Sequence, residues 1–319
     1  MGSISGGLSA SPNIIGNSLA VYEINSGINN LLTAVGTKTV HVYTPRVLAA
    51  PAAGLGAAVP NVRAYPLLDH PLPGVVNIEN GAPLFSGESV TLQTKAQGIV
   101  LTGSTAARIV GHAANQYSPI ELLVGNDGND TIAGGGGSGT IVSSSGRNKI
   151  HTGSGDVVVY SHGAGDVIKA GGGIDNVDAY GTATVVGGSG ILIFTDSGTA
   201  GSAFLVRAGS GATIAYSGRG SDTFVGGSGV AYFQDSGPGG VTFAIAAGAG
   251  GFDIISGFDK NAGHSDTLAG SFFTHLAKFD TAGGGNSKIT VVGGSAFIHL
   301  GNTNVVFLGV TSIGQITGT

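Results

Sequence analysis

Cysteine and tryptophan are absent from this 319-residue chain, and only 10% of its residues carry a charge. Without cysteine the chain has neither a disulfide nor a thiolate ligand for a metal. A net charge of −5 argues against a nucleic-acid partner. A surface this poor in charge keeps copies of the chain apart only weakly, so the composition favours association.

Long apolar runs are missing as well. No segment reaches the ~20 apolar residues of a membrane-spanning helix, so no membrane span is expected. The first basic residue is Lys38, and residues 1–20 are rich in Gly, Ser and Asn, unlike a cleaved signal peptide. A secreted location therefore requires export without an N-terminal signal.

The usual catalytic motifs are also absent. The sequence contains no His-Glu-x-x-His, no Gly-x-Ser-x-Gly and no Gly-Lys-Ser/Thr phosphate loop. Polysaccharide-processing solenoids place carboxylates on one face, and Asp222, Asp235 and Asp253 are the residues that would imitate this arrangement. Because we expect these three residues in turns, we predict that the chain is not an enzyme and keep glycan processing as the least favoured alternative.

Glycine, in contrast, is abundant, with 60 residues, and much of it belongs to a nine-residue repeat between Gly125 and Gly187. Every ninth position of this stretch is a β-branched aliphatic residue: Ile132, Ile141, Ile150, Val159, Ile168, Val177 and Val186. A nine-residue unit fits one turn and one short strand, and two such units make one coil. The period predicts an all-β fold, a parallel β-solenoid with these seven side chains inside.

Composition divides the chain into three regions. Residues 1–88 are Pro-rich and irregular, with candidate strands at Thr39–Tyr43 and Val75–Ile78. Residues 89–257 form the predicted solenoid. Residues 258–319 are rich in Phe and alternate strand-like segments with Gly turns, which predicts a C-terminal β cap with a turn or two of helix near residues 271–279.

Candidate metal ligands occupy the sixth position of some of the repeats. Units alternate between the two sides of a coil, so equivalent turns are 18 residues apart. One side carries Asp130, Asn148 and Asp166, with Asp127 and Asp156 in neighbouring turn positions, and the other side carries only Asp175. Calcium prefers such oxygen ligands, so we expect a few weak sites on the first side. Asp175 is interpreted as a solvent-facing turn carboxylate.

The repeat resembles the Gly-Gly-x-Gly-x-Asp-x-aliphatic-x nonapeptide of the RTX (repeats-in-toxin) family. The motif copies are residues 125–133 and 170–178, and residues 251–259 with 266–268 are similar to the segment that closes RTX arrays. The resemblance implies a calcium-dependent β-roll and type I secretion through an uncleaved C-terminal signal. It carries family ligand positions over to Asp130, Asp166, Asp175, Asp222 and Asp253. Most units lack the sixth-position Asp of the family.

These observations together predict a secreted, non-catalytic structural protein. Its copies are expected to form a homo-oligomer or filament, as fibres or a surface layer, and the N-terminal arm is the segment expected to pair with another copy. The alternative is a monomeric calcium-binding adhesin that binds a cell-surface or matrix polysaccharide.

Overall fold

The computed structural model describes residues 2–5, 39–43, 62–63, 74–78, 89–91, 97–101, 106–111, 120–245, 249–259, 266–274, 287–312 and 314–317. The chain divides into two units, residues 1–167 and 168–319, and each is described by itself. The fold is all-β, and parallel sheets form the predicted β-solenoid. Among the described residues, no helix is long and apolar enough to cross a membrane.

Unit 1 consists of two sheets whose strands alternate along the chain. The first sheet has the order β1 (Gly2–Ser5), β2 (Thr39–Tyr43), β4 (Gly74–Ile78), β6 (Gln97–Leu101), β8 (Ile120–Val124), β10 (Ser138–Ser143) and β12 (Val157–Ser161). The second has the order β3 (Val62–Arg63), β5 (Ser89–Thr91), β7 (Arg108–Val110), β9 (Thr131–Ala133) and β11 (Lys149–His151). Neighbouring strands are parallel except β1 and β2. Strand β13 (Asp166–Lys169) spans the boundary between the units.

Unit 2 repeats this arrangement. Its first sheet contains the parallel strands β14 (Ile174–Ala179), β16 (Ile191–Asp196), β18 (Ala212–Tyr216), β20 (Val230–Gln234) and β22 (Phe252–Ser256). The second contains the parallel strands β15 (Ala183–Val186), β17 (Phe204–Arg207), β19 (Asp222–Val225), β21 (Val241–Ala244) and β23 (Thr267–Ala269). We call these two sheets of unit 2 the A sheet and the B sheet.

The end of the chain extends the A sheet. Strand β26 (Thr303–Leu308) pairs in parallel with β22, and β25 (Ser295–Leu300) and β24 (Ser287–Val292) follow it in antiparallel order. These three strands lie in the region where the sequence predicted strand-like segments separated by Gly turns. A short helix α1 (Ser271–Thr274) lies where a turn of helix was expected, although residues 275–279 of that prediction lie outside the described residues. A second short helix, α2 (Gly314–Thr317), follows β26.

Six of the seven repeated aliphatic residues are buried as predicted, since none from Ile132 to Val177 is more than 2% exposed. The prediction was wrong for Val186, which is only partly buried, while Val185 is fully buried. The coil from β14 to β16 has 17 residues instead of 18, because Ile174 pairs with Ile191. A shift of one residue exchanges the two faces of a strand, so the inward position moves from Val186 to Val185.

Phenylalanine fills the interior of unit 2. The fully buried aromatic side chains are Phe194, Phe204, Phe224, Phe233, Phe243 and Phe307. The ring centroids of Phe224 and Phe233 are 5.3 Å apart, as expected for a packed aromatic pair. These rings replace the β-branched residues of the regular repeat, so the two units have different cores.

Stacked turns explain much of the glycine content. In unit 2, a Cβ atom on Gly190, Gly211 or Gly229 would overlap a backbone carbonyl oxygen of the turn one coil earlier. Successive turns therefore approach so closely that only glycine fits. Between β14 and β22 of the A sheet, coil length still varies, from 17 residues between β14 and β16 to 22 between β20 and β22.

Candidate functional site

The predicted calcium side of unit 1 forms a buried column. Asp130, Asn148 and Asp166 are each no more than 1% exposed. Asn148 Oδ1 accepts a hydrogen bond from the Asp130 backbone N–H at 2.9 Å. The backbone N–H and the side-chain amide of Asn148 both donate to Asp166 Oδ1, at 2.8 and 3.0 Å. The 18-residue coil thus brings the three predicted side chains together.

The carboxylate oxygens in this column accept hydrogen bonds from protein donors. The backbone N–H groups of Ala107 and Asn126 donate to the two oxygens of Asp130 at 2.8 and 2.7 Å. The hydroxyls of Ser143 and Ser161 donate to Asp166 Oδ2 at 2.6 and 2.7 Å. A calcium ion needs six or more oxygen ligands with their lone pairs directed at it, whereas here N–H and O–H groups point at these oxygens. The column as arranged does not fit a calcium ion, and it closes by hydrogen bonds.

The neighbouring turn carboxylates do not join the column. Asp127 and Asp156 are exposed, and the Ser145 hydroxyl donates to Asp127 Oδ1 at 2.6 Å. The interpretation of Asp175 as solvent-facing was wrong, because Asp175 is fully buried and accepts a hydrogen bond from the Gly171 N–H at 2.8 Å. Asp175 is the second residue of β14, where alternate side chains point inward.

Two further predicted positions, Asp222 and Asp253, were expected in turns but lie in strands and point into unit 2. Asp222 lies close to a carboxylate that the repeat did not identify, Asp196. Burial, followed by the charge of Asp196, raises the pKa of Asp222 to about 7. The in-out alternation of β16 around the apolar Phe194 is the sequence signal that places Asp196 inside.

Asp253 is the most unusual carboxylate of the described residues. It is fully buried, and neither of its oxygens has a hydrogen-bond partner among the described residues. Its strand neighbours at the same register are Ala231 and Val305, so its surroundings are largely apolar. Burial raises the pKa of Asp253 to about 7. The two open oxygens can take up a proton, or contact a cation whose remaining oxygen ligands would be backbone carbonyls or water.

The same effect of burial extends to two other carboxylates. Burial raises the pKa of Asp130 and that of Asp266 to about 6, even though both carboxylates accept hydrogen bonds from backbone N–H groups. Within the described ranges, no group of three or more His, Asp or Glu side chains gathers in a way that holds a metal ion.

A different kind of site lies at the edge of the A sheet. Strand β24 pairs with β25 on one side only, and within the described part of the chain no strand pairs with its other side. Val291 and Val292 on this strand are 37% and 61% exposed. An edge strand offers unpaired N–H and C=O groups, and exposed valines add apolar surface to it.

A small open pocket of about 170 Å³ lies near this edge. Phe252, Phe297, His299 and Asn304 contribute to its lining, and His299 Nδ1 lies 2.8 Å from Asn304 Oδ1. Comparisons with protein-family models, with curated proteins and with solved structures gave no match.

Proposed function

We propose that this chain is a secreted, non-catalytic structural protein whose copies assemble into extracellular fibres or a surface layer. The single observation that carries this proposal is the open edge of the A sheet at β24, with Val291 and Val292 exposed on it. A second copy that adds a strand here satisfies the free backbone groups and covers the valines. The low charge content of 10% supports the proposal, because little repulsion opposes the contact.

The two candidate strands that the sequence indicated in the N-terminal arm are not edge strands. Strand β2 lies between β1 and β4, and β4 lies between β2 and β6. Both candidate strands of the arm therefore have neighbours on both sides within the same chain. Among the described strands, β1 of the arm pairs with β2 on one side only and is also an open edge. We prefer β24 because its valines are exposed.

Lysine on the edge strand should block assembly. We expect the double variant Val291→Lys with Val292→Lys to reduce the assembled fraction at least tenfold, since charged side chains make an edge strand unsuitable for pairing. Light scattering and negative-stain electron microscopy measure this. The matched control is Thr184→Lys with Thr223→Lys, which adds the same two charges to β15 and β19, strands that have neighbours on both sides. Assembly of the double variant at the wild-type rate would exclude β24 as the contact.

Calcium stabilisation remains part of the proposal, at a position different from the one the repeat indicated. In unit 2, the open oxygens of Asp253 are the place where a cation would offset buried negative charge. The oxygens of Asp196 and Asp222 accept hydrogen bonds from backbone N–H groups, as those of the column do. Asp253 is proposed as a ligand, together with backbone carbonyl oxygens. A bound cation supplies positive charge there and would hold successive coils together.

Export through the C-terminal region follows from the RTX resemblance and belongs to the same proposal. Residues 258–319, fused to an unrelated passenger, should carry it into the medium of cells that have a type I secretion system. Deleting the last ~50 residues of the full chain should retain the protein in the cell. Measuring passenger and full chain in medium and lysate checks both, and secretion of the truncated chain would contradict the proposed route.

The second candidate function is a monomeric adhesin or matrix-polysaccharide binder. The pocket with Phe252 and Phe297 favours it, because aromatic faces beside polar His299 and Asn304 suit the apolar and hydroxyl sides of a sugar ring. Binding of purified polysaccharides by a chain that stays monomeric would favour this function. Assembly without polysaccharide binding favours the structural one.

A further inference from the structure

The outer face of the A sheet carries an aligned row of exposed apolar side chains. Register pairing places Ile174, Ile191, Ala212, Val230 and Phe252 next to one another on successive strands. Four of them are large and exposed, with values of 46% for Ile174, 39% for Ile191, 53% for Val230 and 38% for Phe252. Exposed apolar side chains that are aligned strand after strand form a patch, in contrast to the scattered ones of an ordinary surface.

A second row lies two residues further along each strand. It consists of Asn176, Ile193, Ile214, Tyr232 and Ile254, whose apolar members are partly exposed. A third row adds Asp178, Thr195, Tyr216, Gln234 and Ser256. Asp178 is the only charged residue of the three rows, and it lies at one corner. We call these outward side chains of β14, β16, β18, β20 and β22 the apolar face.

We propose that the apolar face is a second contact between copies of this chain, packed sheet against sheet. The inference rests on the proposed function that copies assemble, and it adds a lateral direction to the pairing of strand edges. Two sheets pack face to face at about 10 Å, with interdigitated side chains. Rows of Ile, Val and Phe repeated at each strand spacing suit this kind of contact.

Charge and area identify the occupant as a second copy. The apolar face has no charge apart from one corner Asp, so two copies of it can meet without like-charge repulsion. A partner with a charged surface would find no opposite charges on this face to pair with. Five strands with three outward residues each cover about 400 Å². Two such faces bury about 800 Å² in total, below the ~1,200 Å² of a stable complex. The contact is therefore weak alone and becomes strong only in an array, where edge pairing supplies the effective concentration.

Lysine on the apolar face tests the contact. The variant Ile191→Lys with Val230→Lys changes two exposed positions, so the fold should survive, as circular dichroism and the melting temperature will show. The matched control, Thr184→Lys with Thr223→Lys, adds the same charges to the outer face of the B sheet. We expect the face variant to reduce lateral association at least tenfold in light scattering and electron microscopy, and the control to assemble as wild type. Association of the face variant equal to that of the control would overturn the inference.

Cysteine cross-linking tests the same contact without the lysine variant, and so does not depend on whether that variant folds. The chain has no cysteine, so an introduced Ile214→Cys at the centre of the apolar face is the only thiol. With a short bis-maleimide, this variant should form dimers in high yield, whereas Thr223→Cys on the B sheet should not. Equal yields for the two variants would overturn the inference.

The outcomes also separate this inference from the proposed function. If wild type assembles and only the edge variant fails to assemble, the proposed function stands and the apolar face is not a contact. If wild type stays monomeric at high concentration, with and without calcium, both are overturned. If the edge variant and the face variant each fail to assemble, and Ile214→Cys forms cross-linked dimers, the proposed function and the contact through the apolar face are both supported.

Discussion

Replacing Asn148 by Asp is expected to destabilise unit 1 by about 3–5 kcal/mol in the absence of calcium, the usual cost of an uncompensated buried charge. The Asn148 amide donates to Asp166 Oδ1 at 3.0 Å, and both side chains are buried. The substitution removes this donor and places a second carboxylate against Asp166. Like charges at this distance disfavour ionisation, so acid pH should restore part of the lost stability.

The response of Asn148→Asp to calcium is a second measurement. If two facing carboxylates create a cation site, millimolar calcium should restore the melting temperature of Asn148→Asp, while wild type should respond weakly in this region because protein donors occupy its oxygens. The control is Asn176→Asp, which adds the same charge on the exposed outer face of β14. A variant as stable as wild type in chelator would contradict the hydrogen-bonded column. No response to calcium would show that two facing carboxylates at this position do not make a cation site.

The second large effect concerns pH. Asp222 and Asp253 have pKa values raised to about 7, and those of Asp130 and Asp266 are raised to about 6, against an ordinary value of 3.8. A carboxyl group whose pKa is higher in the folded state than in the unfolded state stabilises the fold fully when the pH is below its unfolded-state pKa. This stabilisation is lost as the pH rises through its folded-state pKa. We therefore expect stability to fall between about pH 4 and pH 7 in chelator. A melting temperature that is constant or rises over this range would contradict the buried, ionisable state of these groups.

Asp253 should account for a large part of this dependence, because its oxygens have no partner among the described residues. Asp253→Asn removes the charge at nearly the same volume and should raise stability at pH 8 by on the order of 2–4 kcal/mol. Thermal unfolding at pH 5 and pH 8 measures the change. The control Asp156→Asn alters an exposed turn carboxylate and should shift neither value. A loss of stability in Asp253→Asn at pH 8 would show that the carboxylate is compensated, by a cation or otherwise.

The nine-residue period was sufficient to predict the solenoid and most of its interior. It was sufficient because the same spacing sets both the strand register and the inward face from Ile132 to Val177. It was insufficient at Val186, where a 17-residue coil shifts the inward position by one. A single sequence does not show which turn is one residue short, because the strand after a shorter turn can still pair with its neighbour.

The candidate site was only partly predictable. The spacing of 18 correctly brought Asp130, Asn148 and Asp166 together, but residue type alone did not show that Asn148 would act as a donor to Asp166 instead of as a ligand. The sixth position of a repeat was expected in a turn. Where the strand begins before that position, as it does before Asp175, the residue lies in the strand and points inward. The edge at β24 depends on which strands pair across distant parts of the chain, and local patterns do not contain that information.

One measurement tests directly whether copies of this chain join through an open sheet edge. Full-length wild type and the double variant Val291→Lys with Val292→Lys should be compared by light scattering and electron microscopy at rising concentration, with calcium and with chelator. We expect fibres or sheets for wild type and monomers for the variant, with equal melting temperatures. Wild-type protein that remains monomeric at high concentration in both conditions would contradict it.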